Sequence, residues 1–253
     1  DAIHNFLVKQ SENKSKIFFD VGANIGQTIE RFLKIYNNPN IHSFEPTPEL
    51  SNQLRIKYKD FKNIKINNCG LGNTNNKLIF NSYKSPKINS FIPIRKKSKF
   101  EQSRMLTSKS SDKDFEKKIE VNVTTIDKYC ENNQISYIDL LKIRTQGFED
   151  KVLEGAQNLL KKNKVLIIEL ALIFGVTYNK TLSFFDVEKF LNLYNYKLIA
   201  IGDAGNIISH SSYQTDLIYV NENIYNYIKN LQLENIEIPN VTSKVSSDYP
   251  FSY

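Results

Sequence analysis

Phe19–Thr28 reads FDVGANIGQT, and the fold is decided there. The stretch closes an apolar run, Lys16–Val21 (KIFFDV), of the length and character of a buried strand. Gly22 then breaks the run. From Ile25 to Tyr36 the apolar residues fall at 25, 29, 32, 33 and 36, a helical stripe. A strand that turns through glycine straight into a helix is the first half of a βαβ unit. The alternation repeats outward. Asn40–Phe44 is a second strand ending at Glu45-Pro46, and a helix opens at Pro46 or Thr47 and runs to about Tyr58. Ile64–Asn67 is a third strand, Lys77–Tyr83 an added hairpin strand, and Glu120–Val123 an extended piece. Thr124 or Thr125 caps a helix to about Asn132, and Tyr137–Ile143 is the fourth core strand. One amphipathic helix is expected over Glu149–Lys161, a fifth strand over Lys164–Leu170, and a helix over Phe184–Tyr194. Lys197–Ile201 and Asp216–Val220 are the last two strands, and a short helix about Ile224–Ile228 follows. The pattern predicts an α/β fold, a seven-stranded, mostly parallel sheet with helices on both faces. Gly202–Thr215 has no helical pattern, which predicts an antiparallel final strand at the edge.

The chain has 253 residues, enough for one large domain with a sizeable core. Residues 1–229 are read as that domain and 230–253 as a polar tail. Of the 34 Lys+Arg and 27 Asp+Glu, residues 84–118 hold 11 cations and four acids, the whole net charge of +7. This segment is expected to be a basic insertion, a mobile flap over the cleft anchored at Ser90-Phe91. A neutral domain with one basic segment is not the pattern of a nucleic-acid-binding domain. No run of about 18 apolar residues is present, so no transmembrane helix is expected. Two cysteines and three histidines cannot build a Cys/His zinc finger or a disulfide framework. They permit a reducing compartment, and a cytoplasmic location is expected. The chain opens on Asp1 without a signal-peptide pattern, as a processed or trimmed product does.

Open α/β sheets bind ligands at the carboxyl ends of their strands. Gly22 and Gly26 allow close backbone approach at a helix N-terminus, but their spacing is GxxxG and not GxGxxG. A dinucleotide pyrophosphate is therefore disfavoured, and with it a dehydrogenase. Asp20 would repel a pyrophosphate and suits an ammonium group. Glu45, ending the second strand, suits the two hydroxyls of a ribose. A nucleoside bearing a cationic amino acid answers both, and that is S-adenosylmethionine.

Phe19–Thr28, Phe44–Pro46 (FEP), Leu141–Glu149 (LKIRTQGFE) and Val152–Ala156 (VLEGA) together resemble the FkbM family of S-adenosylmethionine-dependent methyltransferases. The resemblance spans roughly residues 15 to 200. It implies a class I methyltransferase fold, Rossmann-like, with strand order 3-2-1-4-5-7-6. It implies O-methylation of a sugar, glycan or small natural product. By the resemblance Asp20, Gly22, Asn24, Gly26, Gln27, Thr28, Glu45 and Pro46 belong to the cofactor site. Asn68, Cys69, Gly70 and Leu71, after the third strand, would lie near the adenine. One position departs from the family pattern, which has Asp where this chain has Arg144. Arginine cannot be deprotonated and so cannot serve as a base. Three readings stand: a damaging or engineered change, a natural loss of catalysis, or a site for an anionic acceptor. The intact flanking pattern favours the first, and the chain is expected to be impaired.

Glu149, Glu169 and His210 complete the catalytic candidates beside Arg144. Glu149 opens a helix, where its charge also suits the helix dipole. Glu169 interrupts an apolar strand, which is costly for a carboxylate unless it is paired or functional. His210 lies in a late loop. Lys142 reads as a strand residue with a packed stem and a snorkelling head, and His42 as a packed core histidine. No metal site is expected. The acceptor is a small molecule or glycan, anionic on one reading of Arg144. A non-catalytic cofactor-binding protein is the alternative. The sequence argues against a nucleic-acid methyltransferase, since it has neither an Asn-Pro-Pro-aromatic tetrad nor a Pro-Cys pair.

Overall fold

The computed structural model describes residues 16–95, 117–174, 178–202, 205–208 and 211–235. Strand β1 (Ile17–Val21) leads into α1 (Gln27–Ile35), β2 (Asn40–Phe44) into α2 (Pro48–Lys57), and β3 (Ile64–Asn67) follows. The short strands β4 (Gly70–Leu71), β5 (Lys77–Ser82) and β6 (Lys117–Thr124) form a separate small sheet, with β6 in the middle. A 3₁₀ turn, Pro86–Ile88, leaves β5. After α3 (Ile126–Asn132) come β7 (Ile138–Ile143), α4 (Glu149–Glu154), α5 (Gln157–Lys161) and β8 (Val165–Ile173). The chain continues through α6 (Phe184–Asn192), β9 (Lys197–Ile201), β10 (Gly205–Ile208), β11 (Ser211–Val220) and α7 (Glu222–Asn235).

The main sheet runs β3-β2-β1-β7-β8-β11, with β9 and β10 sharing the far edge of β11. Without β10 this is the order 3-2-1-4-5-7-6. Alternation along β1 divides the core. Phe18 packs on one face with Ile29, Phe32 and Tyr36. Phe19 and Val21 pack on the other with Ile126, Val152, Leu160 and Val187. Helices therefore cover both faces, and full burial of each such aromatic contributes about 1.5–3 kcal/mol. Thr125 caps α3 by accepting from Lys128 N–H, and Ser183 and Asp186 form a capping box at α6.

Several expectations need correction. The antiparallel strand is not at the edge: β11 lies between β8 and β9, antiparallel to both. Leu217, Tyr219 and Val220 are buried, and a strand so enclosed takes neighbours on both sides. Its range also extends back to Ser211 and pairs with β10, where only a loop was expected. The helix expected over 149–161 is two helices. At Gly155 the carbonyl oxygen of Gly72 lies 2.0 Å from where a Cβ would stand, so another segment crosses the helix face at its break. Helix α1 starts at Gln27, leaving Ile25 half exposed. Helix α7 reaches Asn235, into the expected tail. Most of the expected flap, residues 96–116, lies outside the described residues. Its anchor does not: Ser90 is buried and Phe91 packs on Phe80 and Phe148. No helix among the described residues is long and apolar enough to cross a membrane.

Candidate active site

Beyond the carboxyl ends of β1, β2, β7 and β8 lies a cleft of about 800 Å³. Its turn geometry starts at Gly22, with φ +85°. A Cβ there would lie 2.1 Å from the Arg144 carbonyl oxygen, so only glycine lets β1 and β7 end this close together. Arg144 N–H donates to the Val21 carbonyl (3.0 Å), and Gly22 and Ala23 N–H both donate to the Phe44 carbonyl (3.1 Å each). The three strand ends are thereby pinned around one point.

Glu45 closes one side. Its carboxylate accepts Asn24 N–H at 2.9 Å and Thr47 N–H at 2.9 Å. Burial raises its pKa, and those backbone N–H groups oppose the rise. Each oxygen retains acceptor capacity for a further donor. Asn68 steadies this corner by donating to the carbonyls of Glu45 and Pro46 at 3.0 Å each. Above it, the 3₁₀ turn is strapped across the cleft: Asn24 donates to the Pro86 carbonyl (2.8 Å), and Tyr178 donates to the Ile88 carbonyl (3.3 Å). Ser90 Oγ donates to the Gln146 carbonyl at 2.8 Å.

The other side is a layer of charge. Sheet register places Asp20 beside Lys142, and Lys142 beside Glu169. Lys142 Nζ lies 3.6 Å from Asp20 Oδ1, both side chains being buried. Burial pushes Asp20 up and Lys142 down, and each charge opposes the other's shift. Arg31, from α1, donates to both oxygens of Glu169 at 2.8 Å. One step nearer the strand ends, Arg144 donates to both oxygens of Asp216, at 2.7 and 2.8 Å. Ala171, in register with Asp216, is the small residue over which this pair spans β8.

Of the residues singled out in the sequence, Gly22, Asn24, Gln27, Thr28, Glu45, Pro46, Gly70, Leu71, Arg144 and Glu169 line the cleft. Asp20 does not: it is fully buried behind the wall, and Lys142 stands in the lining instead. Gly26 faces Leu54 of α2 and Tyr58, which caps that helix. Asn68 and Cys69 are outside the lining, and burial pushes the Cys69 thiol up to about 11. Glu149 also misses the cleft, because its carboxylate accepts Thr145 N–H (2.8 Å) and Gly147 N–H (2.9 Å) and so braces its own loop. His210 lies outside the described residues. Lys142 does not snorkel into solvent. His42 is half-buried against Phe19, with Nδ1 2.8 Å from the Tyr129 hydroxyl.

Arg31, Lys87, Thr145, Gln146 and Gln214 join the lining without having been singled out. Arg31 was findable. Arg31 sits one helical turn after Gln27 and Thr28, away from the apolar stripe of α1. The residues of the roof and of β11 carried no such local signal.

A parallel α/β sheet with an antiparallel strand inserted next to its edge, a glycine turn after the first strand and an acid ending the second define a class: the class I S-adenosylmethionine-dependent methyltransferases. The family model "Methyltransferase FkbM domain" matches residues 20–198. The chain belongs to the FkbM methyltransferase family, whose members use S-adenosylmethionine. A 2-O-methyltransferase, NoeI, from Sinorhizobium fredii is 22% identical over 175 residues, covering 66% of this chain and 68% of that protein. Among solved structures, magnesium protoporphyrin IX methyltransferase (ChlM) from Synechocystis with bound S-adenosylmethionine aligns at TM-score 0.47 and 8% identity, over 88% of this chain and 77% of that one. A precorrin-6y C5,15-methyltransferase from Geobacter metallireducens aligns at TM-score 0.41 and 9% identity, over 87% and 86%.

The residues present fit this cofactor. Arg31 Nε and Arg144 Nε are buried without a hydrogen-bond partner among the described residues, and both residues line the cleft. Buried polar groups are rarely left orphaned unless a ligand or water satisfies them.

Proposed function

We propose that this methyltransferase acts on oxygen, at a hydroxyl of a sugar, glycan or small natural product. The observation that carries the reading is the polar wall of the cleft beyond Glu45. There Arg144, Thr145, Gln146, Glu169 and Gln214 present hydrogen-bonding groups and not an apolar surface. The similarity to a 2-O-methyltransferase supports the same chemistry.

In this reading Glu45 accepts the ribose hydroxyls, and Phe44, Leu71 and Phe80 flank the adenine. Residues 22–28 and Arg31 take the amino-acid part. When bound, S-adenosylmethionine supplies a methyl group made electrophilic by its sulfonium. The strap over Pro86–Ile88 excludes water, and the polar wall orients the acceptor oxygen for in-line attack.

The impairment expected of Arg144 rested on the loss of a carboxylate that could serve as a base and, further, on a cation beside the sulfonium. The two hydrogen bonds to Asp216 cancel that charge locally, and we propose that the chain turns over. Lys87, exposed in the roof, makes no ion pair with the described residues. It favours an acceptor carrying negative charge, whose affinity then falls as salt rises. The test is transfer of radiolabelled methyl to parallel panels of glycosides, small alcohols and amines. Label in hydroxyl acceptors is expected; label confined to amines refutes the reading.

A further inference from the structure

We propose that Asp216 is the carboxylate that orients the acceptor hydroxyl and takes up its proton, with Arg144 as the positioning residue that holds it. The proposal rests on the O-methylation reading above.

An alcohol must lose its proton as its oxygen gains a methyl group, and a positioned side chain speeds that loss. The acids in and behind the cleft wall are committed. Both oxygens of Glu45 hold backbone N–H groups on the ribose side. Glu169 is 4% exposed and gripped by Arg31; Asp20 is fully buried. Asp216 differs. It stands just outside the lining with its side chain 32% exposed, held by Arg144, which at 34% exposed lines the cleft, as does Gln214 on the same face of β11. Its backbone is fixed, because its carbonyl accepts Gly202 N–H at 2.7 Å. Only one guanidinium nitrogen, Nη2, grips the carboxylate. Each carboxylate oxygen therefore keeps a free lone-pair direction toward a third group.

The step balances. The acceptor oxygen forms a bond to the methyl carbon as the carbon–sulfur bond breaks, its electron pair staying on sulfur. The hydroxyl proton passes to Asp216 and then to solvent.

The experiment compares the wild type with Asp216→Asn, Arg144→Asp and the charge-swapped double variant, using radiolabelled cofactor and the glycoside and alcohol panel. Calorimetry with S-adenosylhomocysteine and melting temperature report folding and cofactor affinity separately. Asp216→Asn is expected to stay folded, to bind S-adenosylhomocysteine within about twofold, and to lose about 10²–10⁴-fold in kcat. Arg144→Asp, which sets two carboxylates face to face, is expected to lose activity, and the double variant to regain at least about tenfold over it. A folded Asp216→Asn within about threefold of an active wild type overturns the proposal alone. So does a gain of activity in Arg144→Asp by itself. A wild type that labels no hydroxyl overturns the O-methylation reading and the proposal with it.

Discussion

At Glu45 a single carboxylate joins two loops, since Asn24 N–H and Thr47 N–H both end on it. Removing a charged hydrogen bond costs about 1.5–3 kcal/mol. Glu45→Ala is therefore expected to weaken S-adenosylhomocysteine binding roughly tenfold or more by calorimetry, and to lower the melting temperature as well. Unchanged affinity would remove Glu45 from the ribose. His42 gives a pH prediction. Burial, then Lys65, depress its pKa to about 4 from an ordinary 6.5. The unfolded chain thus binds more protons between those values. Stability is full above pH 6.5 and is lost as pH falls toward 4, by no more than about 3 kcal/mol. Urea titrations at pH 7.5 and 5 should differ for the wild type, and differ less for His42→Asn.

Among the elements, the break between α4 and α5 sets local propensity against packing. In an exposed helix, Gly→Ala stabilises by about 1 kcal/mol. At Gly155 the added methyl would meet the Gly72 carbonyl at 2.0 Å. Overpacking costs about 1–3 kcal/mol, so Gly155→Ala is expected to destabilise by that order in urea denaturation. A stabilised variant would show that the small sheet can move away from α4. The same crossing ties the loop after β4 to the helix following β7, and so bears on how the roof sits over the strand ends. Strand β11 has a comparable role: it fills the gap between β8 and β9 and carries Asp216 to Arg144 in the cleft wall.

For the whole molecule, the cleft joins parts that meet only on folding: α1, the ends of β1, β2, β7 and β8, the strap and β11. A ligand that binds this assembly and not the unfolded chain stabilises by mass action. At a concentration 100 times its Kd, S-adenosylhomocysteine should contribute about 2.7 kcal/mol. For a chain of this size that is a rise of roughly 5–11 °C in melting temperature. S-adenosylmethionine should give a similar rise, since the charge of Arg144 is paired. A shift with S-adenosylhomocysteine but none with the sulfonium form would show that the pairing fails to offset repulsion.

Local periodicity and punctuation were enough to place β1, α1, β2 and β7, because period and breaker residues act over a few neighbours. The stretch FDVGANIGQT and Glu45 pointed to the cleft for the same reason: a glycine turn and a strand-ending acid are local facts. What lay beyond the sequence was set by register across the sheet. Asp20 reads as a cleft acid, yet the parallel pairing of β1 with β7 puts Lys142 against it and buries both. Glu149 reads as a catalytic candidate, yet the tight turn at Gly147 folds the backbone onto its carboxylate. Arg144 reads as an unmatched cation because its partner lies 72 residues away, on a strand whose place in the sheet no local pattern fixes. The sequence determined most of the core strands and helices and the fold class; only the tertiary structure decided which charges meet, because pairing depends on neighbours that sequence distance does not reveal.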